Sequence, residues 1–353
     1  MSRVGGSAKK TARLATLWSA ASPGYIVDLA YSPDGKTLAA AAVEGPITLF
    51  DSVSGEQLRQ LPGHGFGTSS LSWRPDGRTL ASAGQDGRVR LWETREGREL
   101  SDLDGGSAWV EKVAFSPDGK HLVSAAGKRI RMWRPGSAGS GTDDADLLWE
   151  SPDHASTVTD VQWRPGSGKE LVSSSYGGLA LYRPSVADPT RSFEWKGSTL
   201  AVAWSPNGKY IATGDQDSTV HFWIHESGVD LQMFGYPTKV RELAWDPTSR
   251  YLATGGGPAV TVWDCAGKGP EGTRPASLEA HEDAVTDLAF QKKGSLLASG
   301  GEDGIVVLWR PGTRDPVAAE AMEEAVTRLS FSSDDAKLAV GGEDGRVTVC
   351  AVS

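Results

Sequence analysis

The chain lacks the residues and segments that mark several classes of protein. Its 353 residues include two cysteines, Cys265 and Cys350, and neither belongs to a CxxC pair or lies near a histidine at a ligand-like spacing. No stretch approaches the roughly 18 apolar residues that a membrane helix requires. The N-terminus is basic but lacks the apolar core of a secretory signal. These absences predict a cytoplasmic protein without disulfides and without a membrane partner.

Positive charge is also scarce. The formal net charge is −9 and the isoelectric point is near 5.3, and no run of Lys or Arg compensates locally. Nonspecific binding to nucleic acid depends on the attraction between basic side chains and phosphates. We therefore expect no nucleic-acid partner.

Glycine, proline and tryptophan are abundant by contrast. The 43 glycines, 19 prolines and 13 tryptophans indicate many tight turns between short strands that are anchored by large apolar side chains. This composition favours an all-β protein.

One pattern repeats along nearly the whole chain: an aromatic residue, a turn such as SPDGK, and then an apolar strand. We number the eight copies as repeats one to eight, at spacings of 41 to 48 residues. The aromatic residues of the copies are Tyr31, Trp73, Phe115, Trp163, Trp204, Trp245, Phe290 and Phe331. An alternating strand that ends in an aromatic residue follows most copies, as in GQDGRVRLWE, where Asp-Gly is a strong hairpin signal. With a weaker last strand, each unit predicts four antiparallel strands in about 40 to 45 residues, the period of a propeller blade.

The chain resembles the WD-repeat propeller family from about residue 12 to the C-terminus. The resemblance implies a hydrogen-bonded tetrad of His, Ser or Thr, Asp and Trp within a repeat. Repeats two and seven carry it in full, at the same spacings. The expected tetrads are His64, Ser82, Asp86 and Trp92, and His281, Ser299, Asp303 and Trp309.

The other repeats depart from this pattern. Repeat five keeps Thr213, Asp217 and Trp223 but has Trp195 at the His position, and repeat four has Tyr182 at the Trp position. Because one buried hydrogen bond contributes about 0.5–1.5 kcal/mol net, the loss of some tetrads is tolerable where apolar packing continues.

The repeat count predicts an all-β fold that is a single eight-bladed β-propeller of four-stranded antiparallel blades. The last repeat ends without a fourth strand, and we expect residues near 12–18 to supply it and close the ring. Residues 1–11 are then a flexible tail and residues 12–353 the propeller. The alternative is a seven-bladed propeller with an extra partial repeat. Two Gly-rich and Ser-rich stretches, 135–146 and 264–277, are interpreted as surface loops, the second of which exposes Cys265.

The sequence contains no catalytic motif in its required context. The recurring Asp-Gly pairs offer too few oxygen ligands for calcium. His221 and His225 are four residues apart, but no carboxylate or cysteine motif accompanies them. We therefore expect no enzyme activity, no metal and no cofactor.

The family resemblance implies a non-catalytic scaffold that binds one or more proteins or peptides, and we expect the protein to be monomeric by itself. An enzyme or small-molecule binder that uses the central channel is the alternative. The resemblance also implies that binding residues lie on the top face, at the positions six and four before each repeat aromatic and in the hairpin turns. The candidates at these positions are Tyr25, Gln85, Trp109, Glu111, Gln216, Lys239, Arg241, Glu302 and Glu343, and Phe66 and Tyr176 are added from neighbouring loops.

Overall fold

A computed structural model describes residues 13–136, 145–267 and 269–353. The described residues form thirty β-strands, β1 to β30. Among them there is no helix long and apolar enough to cross a membrane. The predicted tail, residues 1–11, lies outside the described residues.

Six sheets have four antiparallel strands each. The first three consist of β2 (Ile26–Tyr31), β3 (Thr37–Ala42), β4 (Ile47–Asp51) and β5 (Gln57–Leu61); β6 (Thr68–Trp73), β7 (Thr79–Gly84), β8 (Arg88–Glu93) and β9 (Arg98–Asp104); and β10 (Val110–Phe115), β11 (Leu122–Ala126), β12 (Arg129–Arg134) and β13 (Asp146–Glu150). The next two consist of β20 (Leu243–Trp245), β21 (Tyr251–Thr254), β22 (Ala259–Asp264) and β23 (Ala276–Glu279); and β24 (Val285–Phe290), β25 (Leu297–Gly301), β26 (Ile305–Trp309) and β27 (Ala318–Ala321). The sixth consists of β28 (Val326–Phe331), β29 (Lys337–Gly342), β30 (Arg346–Val352) and β1 (Leu14–Ala21).

The remaining sheet has six strands and contains repeats four and five. Its strands are β14 (Asp160–Trp163), β15 (Leu171–Arg183), β16 (Val186–Trp204), β17 (Tyr210–Asp215), β18 (Val220–Ile224) and β19 (Asp230–Met233). Strand β15 runs through the second and third strand positions of repeat four, with Gly177 and Gly178 at φ angles of 101° and 116° between them. Strand β16 pairs with β15 along its first part and with β17 along its last part.

The predicted propeller of four-stranded antiparallel blades is confirmed, but the prediction of eight separate blades is corrected. The strands form seven sheets, the number in the alternative prediction, because long strands join repeats four and five into one sheet. All eight repeat aromatics nevertheless lie on an innermost strand. These innermost strands contact one another in sequence order, and β28 contacts β2, so the ring is closed.

The N-terminal strand supplies the missing outer strand of the last repeat, as predicted. Strand β1 pairs antiparallel with β30, from Leu14 opposite Val352 to Ala21 opposite Arg346. The paired segment begins and ends a few residues later than the expected 12–18. The outer edge of β30 is therefore covered by β1.

Side chains link the innermost strands of neighbouring repeats. The indole N–H of Trp73 donates to the carbonyl of Ala30 at 3.0 Å, and Trp163 and Trp245 repeat this bond to Ala114 and Ala203 at 3.0 and 3.2 Å. Half-buried carboxylates add a second kind of link by accepting a backbone N–H of the next repeat. The pairs are Leu71 to Asp28 at 2.8 Å, Val202 to Asp160 at 3.3 Å, and Leu329 to Asp287 at 2.7 Å.

The residues of the expected tetrad in repeat two lie in one hydrogen-bonded chain. The Trp92 indole N–H donates to Ser82 Oγ at 2.8 Å, Ser82 Oγ lies 2.7 Å from His64 Nε2, and His64 Nδ1 lies 2.9 Å from Asp86. Burial lowers the pKa of His64, which favours the neutral ring. Neutral His64 then accepts from Ser82 and donates to Asp86.

Repeat seven has the same chain. Trp309 donates to Ser299 at 2.8 Å, Ser299 lies 2.8 Å from His281 Nε2, and both Asp303 oxygens lie 3.1 Å from His281 Nδ1.

Two other repeats fill the tetrad positions differently. In repeat six the hydroxyl of Tyr236 accepts from Trp263 at 2.8 Å and lies 2.9 Å from Thr254 Oγ1, so a tyrosine occupies the histidine position. In repeat four His154 Nε2 lies 2.8 Å from Ser173 and 3.2 Å from the Tyr182 hydroxyl.

Repeat five differs from its expected pattern. Thr213 donates to buried Asp215 at 3.0 Å, whereas Asp217 is exposed and accepts from Thr219 at 2.7 Å. The indole N–H groups of Trp195 and Trp223 have no partner among the described residues. Without a histidine to bridge them, the polar positions of this repeat are rearranged around Asp215.

The structure describes parts of both stretches that were interpreted as surface loops, 135–146 and 264–277. Of the stretch 264–277, the described residues between 265 and 275 lie between a third and a fourth strand as expected, but Cys265 is buried, 2% exposed. Its exposure in a turn was therefore a wrong expectation, because the side chain packs with Phe222 and Trp245. Of the 135–146 stretch, residues 137–144 lie outside the described residues, and the Gly136 carbonyl accepts from Arg74 at 2.8 Å.

Deletion of residues 1–21 should lower the melting temperature and cause aggregation, because β30 loses its partner and becomes an open edge. Differential scanning calorimetry and size-exclusion chromatography measure both effects. Deletion of residues 1–12 alone keeps β1 and is the control, which should melt like the full chain. Equal melting temperatures for all three proteins would contradict the role of β1 in closure.

The His64→Ala variant should lose about 1–3 kcal/mol of unfolding free energy, because Ser82 and Asp86 each lose a buried partner. Urea denaturation measures this loss, with the exposed Glu56→Ala variant as control. In a double-mutant cycle, Asp86→Ala should cost much less in the His64→Ala background than in the wild type. Strict additivity of the two losses would show that the tetrad does not act as a unit.

Asp215 should make stability fall with rising pH. Burial, opposed by Thr199, His221 and Thr213, raises the pKa of Asp215 from 3.8 to about 6. The folded state then holds the proton more tightly than the unfolded state, so this contribution is full below pH ~4 and is lost as pH rises to ~6. Asp215→Asn should therefore be more stable than the wild type at pH 8, by about 1–3 kcal/mol.

Denaturant unfolding at pH 4 to 8 tests this sign, with the exposed Asp217→Asn variant as control. The stability difference between Asp215→Asn and the wild type should grow between pH 4 and pH 6 and then stay constant. A difference that is independent of pH contradicts the assignment.

Candidate functional site

The nucleophilic and metal-ligating side chains do not assemble into a reactive centre within the described residues. No group of three or more His, Cys, Asp or Glu residues there could hold a metal ion. Burial raises the pKa of Cys265 to about 12 and that of Cys350 to about 11, so neither thiol readily forms the reactive thiolate. His221 and His225 face different carboxylates, Asp230 at 2.7 Å and Glu170 at 2.9 Å.

The candidate binding residues lie at one end of the ring, which we call the top face. It comprises the loops that lead into the innermost strands, including the residues six before each repeat aromatic, the first residues of those strands, and the turns between second and third strands. One backbone hydrogen bond of 2.8 to 3.1 Å joins the residue six before the aromatic to this turn in five repeats. The backbone N–H groups donate to the backbone carbonyls from Val43 to Tyr25, from Gln85 to Gly67, from Gln216 to Ser198, from Glu302 to Ala284, and from Glu343 to Ala325.

Four candidate aromatic side chains on the top face are exposed. Tyr25 is 42%, Phe66 87%, Trp109 57% and Tyr176 50% exposed. They belong to repeats one, two, three and four, so large apolar side chains cover half of the ring at this end. Such side chains contribute strongly to protein interfaces.

Phe66 is held outward by its backbone. It has a φ of 67°, which is uncommon for a non-glycine residue. The next residue, Gly67, has no room for a Cβ beside the Val43 carbonyl and the Gln85 amide. The chain therefore passes close to two hairpins at this point, and the Phe66 ring projects into solvent.

The polar candidates are placed as expected with one exception. Gln85 is half-buried, because its amide lies against Gly67. The others are exposed; these are Glu111, Gln216, Lys239, Arg241, Glu302 and Glu343.

Sequence reasoning missed two apolar residues on the top face. Val43, 38% exposed, occupies the hairpin position of repeat one that corresponds to Gln85, but the turn lacks Asp-Gly and its alignment was not visible. Phe234, 68% exposed, precedes the Tyr236 that replaces the tetrad histidine. In both cases the sequence signal that could have identified the residue was an apolar side chain next to a position where the tetrad residue is missing.

Charge is unevenly distributed over the top face. Exposed carboxylates of repeats seven and eight form no ion pair with a described residue; they are Glu282, Asp283, Glu302, Glu324 and Glu343. The exposed aromatic residues lie on the neighbouring repeats, one to four. An apolar sector thus adjoins an acidic one.

Comparisons with known proteins agree with this architecture. The family model "WD domain, G-beta repeat" matches six segments, which are residues 55–93, 97–134, 188–223, 229–264, 272–310 and 320–350. Among solved structures, the chain is similar to the computationally designed Ika8 protein, with a TM-score of 0.80 and 25% identity over 96% of this chain and 99% of that chain.

Two curated relatives match only in part. Probable cytosolic iron-sulfur protein assembly protein 1 of Malassezia globosa is 32% identical over 114 residues, which are 32% of this chain and 23% of that protein. Actin-interacting protein 1 of Drosophila melanogaster is 31% identical over 74 residues, which are 20% of this chain and 12% of that protein.

Because the six matched segments cover more than half of the chain, and the sheets have the expected blade structure, the chain belongs to the WD-repeat family.

Proposed function

We propose that this protein is a non-catalytic scaffold that binds a partner protein or peptide through the top face. The observation that carries the proposal is the exposure of Tyr25, Phe66, Trp109 and Tyr176 on one face of a closed ring. Tyr and Trp are enriched among the residues that dominate binding energy at interfaces.

The rigidity of the ring supports this role. The loops that carry Tyr25 and Phe66 are tied to hairpin turns by backbone hydrogen bonds, from Val43 to Tyr25 at 2.8 Å and from Gln85 to Gly67 at 2.9 Å. A preorganised surface loses less conformational entropy on binding. The aromatic groups are thus presented without a prior rearrangement.

The inner strands favour this role over the alternative of an enzyme or small-molecule binder in the central channel. The half-buried carboxylates Asp160 and Asp287 each accept a backbone N–H from the following repeat. Lys112 lies 3.8 Å from Asp160. These titratable groups hold the ring together, and a catalytic acid or base would need access to a substrate.

The names of the relatives are compatible with this function. One is named for interaction with actin and the other for cytosolic iron-sulfur protein assembly. The matched segments cover only 12% and 23% of those proteins. From these relatives we extend to this chain only protein binding and a cytoplasmic location. We further propose that the chain is monomeric by itself and that its partner is not a nucleic acid.

The double variant Phe66→Ala with Trp109→Ala should lose its main partner without a change in melting temperature, because both rings are exposed and lie on neighbouring repeats. Affinity capture from the native host, quantified by mass spectrometry against the wild type, measures the loss. We expect at least a tenfold decrease, since hot-spot truncation costs about 2 kcal/mol or more.

A matched control removes apolar groups from the opposite face. Val53 and Val229 are 73% and 47% exposed and lie in turns between third and fourth strands. Val53→Ala with Val229→Ala should leave capture unchanged. Loss of capture in this control but not in the top-face variant would place the binding surface on the opposite face.

A further inference from the structure

A cleft of about 700 Å³ opens between repeats one and two, on the face opposite to the proposed binding face. Its size falls within the roughly 300–1,000 Å³ that is typical of ligand sites. Arginine side chains from three separate chain segments line it, namely Arg59, Arg78, and the pair Arg95 and Arg98. This concentration of positive charge is notable in a chain with a net charge of −9.

Turn geometry brings these segments together. Arg78 lies in the turn before β7, and Arg95 in the turn between β8 and β9. The backbone N–H and the hydroxyl of Thr94 both donate to the Arg78 carbonyl at 3.0 Å, which joins the two turns. Arg78 and Arg95 are therefore held near each other by their backbones.

Arg59 reaches the same place from the outer strand of repeat one. Its Cδ lies 3.5 Å from the position that a Cβ on Gly97 would occupy. The Arg59 side chain thus lies directly against the turn that carries Arg95. Repeats one and two therefore each supply part of the cleft.

Arginines outnumber carboxylates in the lining of the cleft, where Glu93 and Glu96 lie beside the four arginines. Arg59, Arg78 and Arg95 are exposed and form no ion pair with a described residue. Glu93, which also lines the cleft, uses its two oxygens to accept the backbone N–H groups of Arg95 and Glu96 at 3.2 and 2.7 Å. Three guanidinium groups therefore remain available to an anion.

The apolar part of the cleft indicates what carries the anion. Leu58 is 38% exposed and Leu100 is half-buried, and both line the cleft beside the arginines. A small inorganic anion would use only the charged part. An extended peptide with an apolar side chain next to its anionic group would use both parts.

Phosphate fits the three guanidinium groups better than carboxylate does. A phosphorylated side chain carries about −1.5 to −2 charge and three acceptor oxygens, and Arg pairs with phosphate through two parallel N–H donors. Clusters of Arg recognise phosphorylated motifs in other interaction domains. We infer that the cleft between repeats one and two binds a phosphorylated segment of a partner protein, with an apolar residue near the phosphate.

Fluorescence anisotropy with synthetic peptides tests this inference. The probe is a labelled Gly-Leu-Gly-pSer-Gly-Leu-Gly peptide, and matched peptides carry Ser or Glu in place of the phosphoserine. We expect the phosphopeptide to bind at least tenfold more tightly than either. The Arg78→Ala with Arg95→Ala variant should lose at least tenfold in affinity and keep its melting temperature, because both side chains are exposed.

The control variant is Arg310→Ala with Arg314→Ala, which removes the same charge from two exposed arginines in repeat seven and should bind like the wild type. Equal binding of the three peptides, or equal loss in both variants, would overturn the inference. Displacement of the probe by an equal concentration of inorganic phosphate would also overturn it, since it would show a free phosphate site. The top-face variant Phe66→Ala with Trp109→Ala should bind the phosphopeptide normally, so failure of either proposal can be recognised separately.

Discussion

Pairing between the first and last strands is the constraint on which the whole ring depends. Strand β1 adds to β30, so the last repeat gains its outer strand from the opposite end of the chain. Each repeat buries its apolar faces only against its two neighbours, as the separate clusters of core residues between adjacent sheets show. An open ring would leave two such faces and one strand edge exposed to solvent. Closure therefore stabilises every other interface indirectly.

Within the closed ring, polar side chains fix the distance between neighbours, which apolar packing alone leaves loose. Indole donors and half-buried carboxylates bond to the backbone of the adjacent inner strand, and two full tetrads fix the turns of repeats two and seven. The incomplete repeats survive because these links are redundant and the apolar contacts continue through them. Repeat six even restores the polar chain with Tyr236. Loss of one tetrad residue is thus a local change, whereas loss of β1 affects the ring.

The two faces of the ring differ in chemistry as a result of the blade geometry. Hairpin turns and the loops before the first strands meet on the top face, where the exposed aromatic residues lie. The turns between third and fourth strands meet on the opposite face, where Arg95 joins arginines from two other segments. A scaffold with an apolar face and a separate anion-binding cleft could hold two ligands at once, because neither site shares a residue with the other.

The sequence by itself determined the repeat period, the hairpins, both full tetrads and the exposure of Tyr25, Phe66, Trp109 and Tyr176, because local spacing places these residues on a strand or in a turn. Tertiary structure decided what depends on neighbours in space. The long strands β15 and β16 join repeats four and five into one sheet. Thr213 donates to Asp215, whereas Asp217 is exposed, and Phe222 and Trp245 bury Cys265. The arginine cleft combines residues of two repeats in the same way. Such features arise from packing between segments that are distant in the chain, which no local pattern records.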